Sequence, residues 1–311
     1  MTDAALAPTR CAICGSLGNA SEIYSARLAP DAFSTEVFSA RRLPDGMHYR
    51  LVRCLSCGLV RSDPAADPEG IARIYERSTF DYGDEVENLA ATYGGYLRDL
   101  ERFGARRGSL LEIGCGNGFF LEEALRQGYA DAHGVEPSSE AVARANAAIR
   151  ARILVGVIRP GLFPAESFDV VCLFQVLDHL PDPAAALDEC FTMLKSGGLV
   201  LCLNHNVDAV SARLLGEESP IVDVEHTYLF GPQTLRRLFE RRGFRVERVA
   251  AAWNRYSLRY LFRLLPLAGF LKGPLLALLG GGALGRVSLS VPLGNVYAIA
   301  RKPGDGSPET P

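Results

Sequence analysis

Apolar and polar positions fall into contrasting blocks along the chain. Between about 108 and 204, short apolar runs with little alternation are separated by segments whose apolar residues recur every three to four positions. The runs predict strands at Leu110–Ile113, Ala132–Val135, Arg152–Val155, Asp169–Leu173 and Leu199–Leu203. Unalternating apolar runs suit strands covered on both faces, as in a parallel sheet. The helical spacing predicts helices near 119–127, 138–149 and 183–194, the last stopped by Lys195-Ser196-Gly197-Gly198. Further on, Pro232 opens a helix with Leu235, Leu238 and Phe239 on one face, and Gly243 closes it. Phe244–Ala250 and Asn295–Arg301 read as two closing strands. The sum is an α/β class: a seven-stranded, mostly parallel sheet with helices on both faces.

The flanking regions differ in pattern. Residues 1–62 are rich in turn residues and punctuated by cysteine, which predicts a small N-terminal module. Residues 63–107 form a helical connector or cap, with apolar spacing at Ile71, Ile74 and Tyr75 and again at Tyr93, Tyr96, Leu97 and Leu100. The main domain then runs over 108–302, with an apolar helical insertion at 255–286. Its most apolar part, 258–283, is broken by Pro266, Pro274 and Gly280-Gly281-Gly282, too broken for an ordinary membrane span. Packing as a lid is its leading reading; burying an apolar acceptor, or peripheral contact with a membrane, are the others. The tail 303–311 is expected to be disordered.

A net charge of −3 supplies no global attraction to nucleic acid. The first residues lack the apolar core of a secretion signal, so a cytoplasmic, reducing setting is expected. The eight cysteines then need a reason other than disulfides. Cys11-Ala-Ile-Cys14-Gly15 and Cys54-Leu-Ser-Cys57-Gly58 are two CxxCG knuckles. Each presents two thiolates from one tight turn, and two such turns supply the four ligands of a closed, structural zinc site. Two redox-active CxxC pairs are the alternative. Cys115, Cys172, Cys190 and Cys202 sit in predicted core elements and read as small buried hydrophobes.

The candidate ligand site begins where the first strand of the main domain ends. Leu110-Leu111-Glu112-Ile113 stops at Gly114-Cys115-Gly116-Asn117-Gly118, and a helix follows at once. Such a turn lets a ligand approach the backbone beside free N–H groups of a helix start. One helix later the second strand ends in Glu136-Pro137-Ser138, where a carboxylate can accept hydrogen bonds from ribose hydroxyls. A further strand, entered through Ser167-Phe168-Asp169, leaves as Phe174-Gln175-Val176-Leu177-Asp178-His179.

These motifs, EIGCGNG, VEPS, SFDVV, VLDHLPDP and LKSGGLV, resemble those of class I S-adenosylmethionine-dependent methyltransferases with a Rossmann-like fold. With the N-terminal knuckles and the EHTYLF segment, the chain is similar to the zinc-knuckle methyltransferases of bacterial sugar and natural-product pathways. The resemblance implies that Gly114, Cys115, Gly116, Asn117 and Gly118 shape a turn against the methionine and ribose of the cofactor, with Glu112 beneath it. It implies Glu136, with Pro137 beside it, at the ribose, and Phe174 and Gln175 near the sulfonium. Many relatives carry an acidic residue after the third strand to meet adenine. Here that region reads Val155-Gly156-Val157-Ile158, which leaves backbone and apolar contact.

Transfer of a methyl group to an alcohol benefits from a general base, usually histidine. His226, His179 and His205 are the candidates, with Glu225 beside the first. In the similar sugar C-methyltransferases an EH pair lies over the acceptor with a tyrosine two residues before the glutamate; this chain has Asp223 there, which favours O- over C-methylation. His48 and His133 read as structural. The expected acceptor is a small molecule: a sugar, a nucleotide- or lipid-linked sugar, or a natural product. An RNA methyltransferase and a non-catalytic S-adenosylmethionine-binding protein are the alternatives.

Overall fold

The computed structural model describes residues 5–28, 46–77, 83–264 and 283–304. Its main sheet has seven strands: β1 (Ser109–Ile113), β2 (Asp131–Glu136), β3 (Ile153–Val155), β4 (Phe168–Phe174), β5 (Leu194–His205), β6 (Arg245–Ala251) and β7 (Asn295–Arg301). Their spatial order is β6-β7-β5-β4-β1-β2-β3. Strands β1 to β5 pair in parallel, while β7 runs antiparallel to both β5 and β6. This is a Rossmann-like, mostly parallel sheet. Because β1 neighbours β2 on one side and β4 on the other, connections leave in opposite directions there and open a crevice at the strand ends.

The apolar runs lack alternation for the expected reason. Leu111 packs into the hydrophobic cluster on one face, with Val171, Val200, Leu187 and Leu238. Its neighbour Leu110 packs into the cluster on the other, with Phe120, Ala124, Leu97 and Val170. All seven residues of β4 are buried. Each fully buried Leu, Val or Phe contributes roughly 1.5–3 kcal/mol through the hydrophobic effect, so the sheet centre is the stability core.

Two expectations change in detail. The helix expected over 138–149 is two short helices, Ser139–Ala143 and Ala147–Arg150. Asn146 causes the break: its side chain accepts the Ile149 N–H at 2.9 Å and caps the second helix. Similarly, β5 starts at Leu194 rather than after the glycines. Lys195-Ser196-Gly197-Gly198 lies within it as an irregularity, with the register to β4 shifting between Leu194 and Leu199.

A second sheet stitches the N-terminal region to the rest. Ala20–Tyr24, Leu51–Cys54 and Val60–Ser62 form an antiparallel meander. Its fourth strand is Tyr228–Leu229, which pairs with Val60–Ser62 from far along the chain. The helix Pro68–Glu76 starts at an Asp67 cap, and Val86–Asp99 packs against Phe119–Arg126. Most of the apolar 258–283 stretch and nearly all of the 303–311 tail lie outside the described residues. Among the described residues, no helix is long and apolar enough to cross a membrane.

Candidate active site

The glycine turn after β1 has the predicted geometry. Gly114, Gly116 and Gly118 all take left-handed backbone angles. A Cβ on Gly114 would lie inside Val176 Cγ2, and one on Gly118 inside Ile149 Cγ2, so sterics as well as φ demand glycine at both. Glu136 ties the turn to β2: one carboxylate oxygen accepts the Gly116 N–H at 2.8 Å, the other the Ser138 N–H at 2.9 Å. Burial pushes its carboxyl up, while these two hydrogen bonds pull against that shift. Each oxygen keeps a lone pair for a diol.

Glu112 is buried beneath the turn, and its Oε2 has no hydrogen-bond partner among the described residues. Burial, then the nearby Glu136 charge, pushes its carboxyl well above the ordinary range. Cys115 is buried and faces Gly134 of β2. Asn117 Oδ1 accepts the Phe119 N–H at 3.4 Å at the helix start. Phe174 stacks on Tyr93 with ring centroids 4.1 Å apart and an angle of 5°. Gln175, at φ 57°, donates from Nε2 to Asn295 Oδ1 at 3.1 Å.

A cleft of about 1070 Å³ runs along these strand ends. Gly114, Glu136, Pro137, Phe174 and Gln175 line one part of it, with Val157 and Ile158 beyond β3. Its other part is walled by Ile71 and Tyr75 of the Pro68–Glu76 helix and by Tyr256, Leu261 and Phe262, so the described start of the apolar insertion faces the cleft.

In the same cleft the three candidate histidines meet around one carboxylate. His205 Nδ1 donates to Asp178 Oδ2 at 2.7 Å, and His179 Nε2 lies 3.8 Å from Asp178 Oδ1. His226 sits between the other imidazoles, with centroids 4.7 Å from His179 and 4.5 Å from His205. Its Nδ1 donates to the Ile221 carbonyl at 3.0 Å, and Tyr75 Oη contacts His179 Nδ1 at 2.9 Å. Burial would raise the Asp178 carboxyl, but the charges of His179 and His205 outweigh it and hold it well below the usual carboxylate range. Burial depresses His179, and burial with two neighbouring imidazoles depresses His226 further. Glu225 lines the cleft beside them.

Asp178, Tyr75 and Tyr93 were not singled out from the sequence as site residues. Asp178 carried one signal, its adjacency to His179 after β4. Tyr75 and Tyr93 looked like the apolar stripes of cap helices. His48, fully buried, and His133 bond to Glu217 and Asp131 as structural residues.

The four knuckle thiols converge. Cys11 and Cys57 sulfurs are 3.3 Å apart, Cys14 and Cys54 3.6 Å, and all four lie within 4.8 Å of one another. A tetrahedral zinc with Zn–S of about 2.3 Å needs sulfurs about 3.8 Å apart, so the donor set is compatible with that ion.

A family profile described as a methyltransferase domain matches residues 87–249. A ubiquinone biosynthesis O-methyltransferase of Psychrobacter cryohalolentis is 32% identical over 119 residues, covering 35% of this chain and 46% of that protein. Another from Neisseria meningitidis serogroup C is 37% identical over 131 residues, 40% of this chain and 53% of that protein. The chain spans about half the length of the curated relatives it matches. A solved SAM-dependent methyltransferase from Archaeoglobus fulgidus aligns with a TM-score of 0.48 at 20% identity, over 70% of this chain and 97% of that one.

Proposed function

The chain belongs to the methyltransferase-domain family, as a class I S-adenosylmethionine-dependent enzyme, and on that premise we propose that it methylates a hydroxyl oxygen of a small acceptor. A sugar-bearing or natural-product metabolite with an apolar body is the acceptor class that best suits the cleft. The observation that carries this reading is the Asp178–His205 pair, whose imidazole lines the same cleft as Gly114 and Glu136.

S-adenosylmethionine supplies an activated methyl group when bound. The residues suited to hold it are the Gly114–Gly118 turn, Glu136 toward the ribose, and Phe174 and Gln175 toward the reacting end, with Glu112 below. The fit rests on the cleft that Gly114, Glu136, Pro137, Phe174 and Gln175 line together, and on the buried Gln175 Oε1, which has no hydrogen-bond partner among the described residues.

Because Asp178 accepts from His205 Nδ1, the proton is fixed on that nitrogen and the Nε2 lone pair is left for an acceptor hydroxyl. Asp178 orients the ring and stabilises the imidazolium that forms, as the carboxylate of a catalytic triad does. Such a base contributes roughly 10²–10⁴-fold, and alignment of the acceptor oxygen with the methyl carbon is the larger share of catalysis. Tyr75, Tyr256 and Phe262 offer apolar surface for the acceptor body and keep water from the reacting oxygen. His226, His179 and Glu225 shape the acceptor end around the base.

We also assign zinc to Cys11, Cys14, Cys54 and Cys57 as a structural ion. With four thiolates it has no open position for substrate.

The reading is tested by following S-adenosylhomocysteine formation across panels of glycosides, phenols and RNA. Turnover on hydroxyl-bearing small molecules, abolished by His205→Gln, supports it. Turnover on RNA alone overturns it.

A further inference from the structure

We propose that Asp178, His179 and His226 form a second metal site, for one divalent transition-metal ion, at the acceptor end of the cleft. Each offers a ligand atom, and these atoms lie within 4.8 Å of one another.

The decisive feature is Asp178 Oδ1. Asp178 is fully buried, its Oδ2 is taken by His205, and Oδ1 has no hydrogen-bond partner among the described residues. A buried carboxylate oxygen left without a donor or a cation is costly, so such an atom marks a missing partner. It faces His179 Nε2 at 3.8 Å, too far for a hydrogen bond and close to the spacing of two ligands on one ion.

Both histidines are braced as metal ligands are. His226 donates from Nδ1 to the Ile221 carbonyl, and His179 Nδ1 meets the Tyr75 hydroxyl. Histidines that bind metals engage their second nitrogen in this way, which fixes the ring and leaves Nε2 for the ion. Two imidazoles and one carboxylate suit zinc, iron(II), manganese or cobalt, whereas magnesium prefers an all-oxygen shell.

Three protein ligands leave positions open, and both histidines line the cleft. The exogenous ligand this geometry fits is an oxygen donor: a hydroxyl, or two adjacent hydroxyls of a diol or catechol. Bound there, a hydroxyl loses its proton more easily, and His205, which stays off the ion, keeps Nε2 free to take it. This role for the ion rests on the methyl-transfer reading; ion binding itself does not.

The test counts ions. Protein purified with its metal complement is saturated with Co²⁺, gel-filtered and analysed for total metal per chain. Two ions per chain are expected in the wild type and one in His226→Gln and Asp178→Asn, with S-adenosylhomocysteine affinity retained as the check on folding. Tyr75→Phe leaves the ligands in place and should weaken the second ion about 10–100-fold; it decides the matter if either ligand variant loses S-adenosylhomocysteine binding. One ion in the wild type, a second ion that survives both ligand variants, or no effect of Tyr75→Phe overturns the proposal. Two ions without methyl transfer to any acceptor would uphold this site while sinking the functional reading.

Discussion

The Ser62 hydroxyl donates a hydrogen bond to the backbone carbonyl of His226 at 3.0 Å. The Ser62 N–H also donates to the Thr227 carbonyl at 2.8 Å, and Val60–Ser62 pairs with Tyr228–Leu229. On the other side, the Asp178 carbonyl accepts the N–H groups of Thr227 and Tyr228. The segment carrying His226 is thus clamped between the cysteine module and the loop after β4. Arg237 strengthens the link by donating to the Cys57 carbonyl at 3.1 Å.

Loss of the zinc proposed for the four knuckle thiols should therefore be felt at the acceptor end. The glycine turn hangs on β2 instead, through Gly114 N–H to the Val135 carbonyl at 2.8 Å. Cys54→Ser is expected to lower acceptor turnover while S-adenosylhomocysteine affinity stays at the wild-type value. Ser62→Ala should cost about 1 kcal/mol of stability for the lost hydrogen bond. Parallel loss of cofactor affinity and turnover in Cys54→Ser would show that the module supports the whole fold rather than the His226 segment.

Replacing the proposed base has a different signature. His205→Gln should lower kcat by roughly 10²–10⁴-fold with cofactor affinity retained. Single-turnover measurement at saturating cofactor reads this directly. A drop of less than about tenfold would move the base role to another group.

Gly118→Ala and Gly114→Ala meet two penalties. The left-handed backbone costs roughly 1–2 kcal/mol for a residue with a Cβ. Forcing that Cβ into Ile149 or Val176 adds about 1–3 kcal/mol or displaces the turn. Calorimetry should show S-adenosylmethionine affinity falling at least tenfold, which is about 1.4 kcal/mol. Wild-type affinity in both variants would place the cofactor elsewhere.

Glu112 makes a prediction about pH. Its folded-state carboxyl titrates above the unfolded value of 4.5, because burial disfavours the charged form. The folded state then holds its proton more tightly, so this stabilising contribution is complete below pH 4.5 and is lost as pH rises through the folded value. Glu112→Gln removes that titration. The melting temperature of the variant relative to wild type should climb as pH rises above 4.5 in the cofactor-free protein. Parallel curves would mean that Glu112 is solvated or paired.

Much of this was legible in the sequence because the signals were local. The central strands of the main sheet stand out since Leu110, Leu111 and their equivalents are covered on both faces. The glycine turn and Glu136 follow from spacing after strand ends. What was hidden is contact between distant segments. Nothing near Asp178 announces that His205 would donate to its carboxylate, and Tyr75 looked like one more apolar position on a cap helix. The pairing of Val60–Ser62 with Tyr228–Leu229 joins short strands too far apart in sequence for any hairpin signal. The 138–149 break turned on a single cap, Asn146, inside an otherwise helical pattern.

The most direct test of the account is a crystal structure with S-adenosylhomocysteine. The ribose hydroxyls are expected on Glu136 and the sulfur in the cleft, turned toward His205 and His226, with room between for an acceptor hydroxyl. A sulfur that faces away from the Asp178–His205 pair, or a ribose bound away from Glu136, would contradict it.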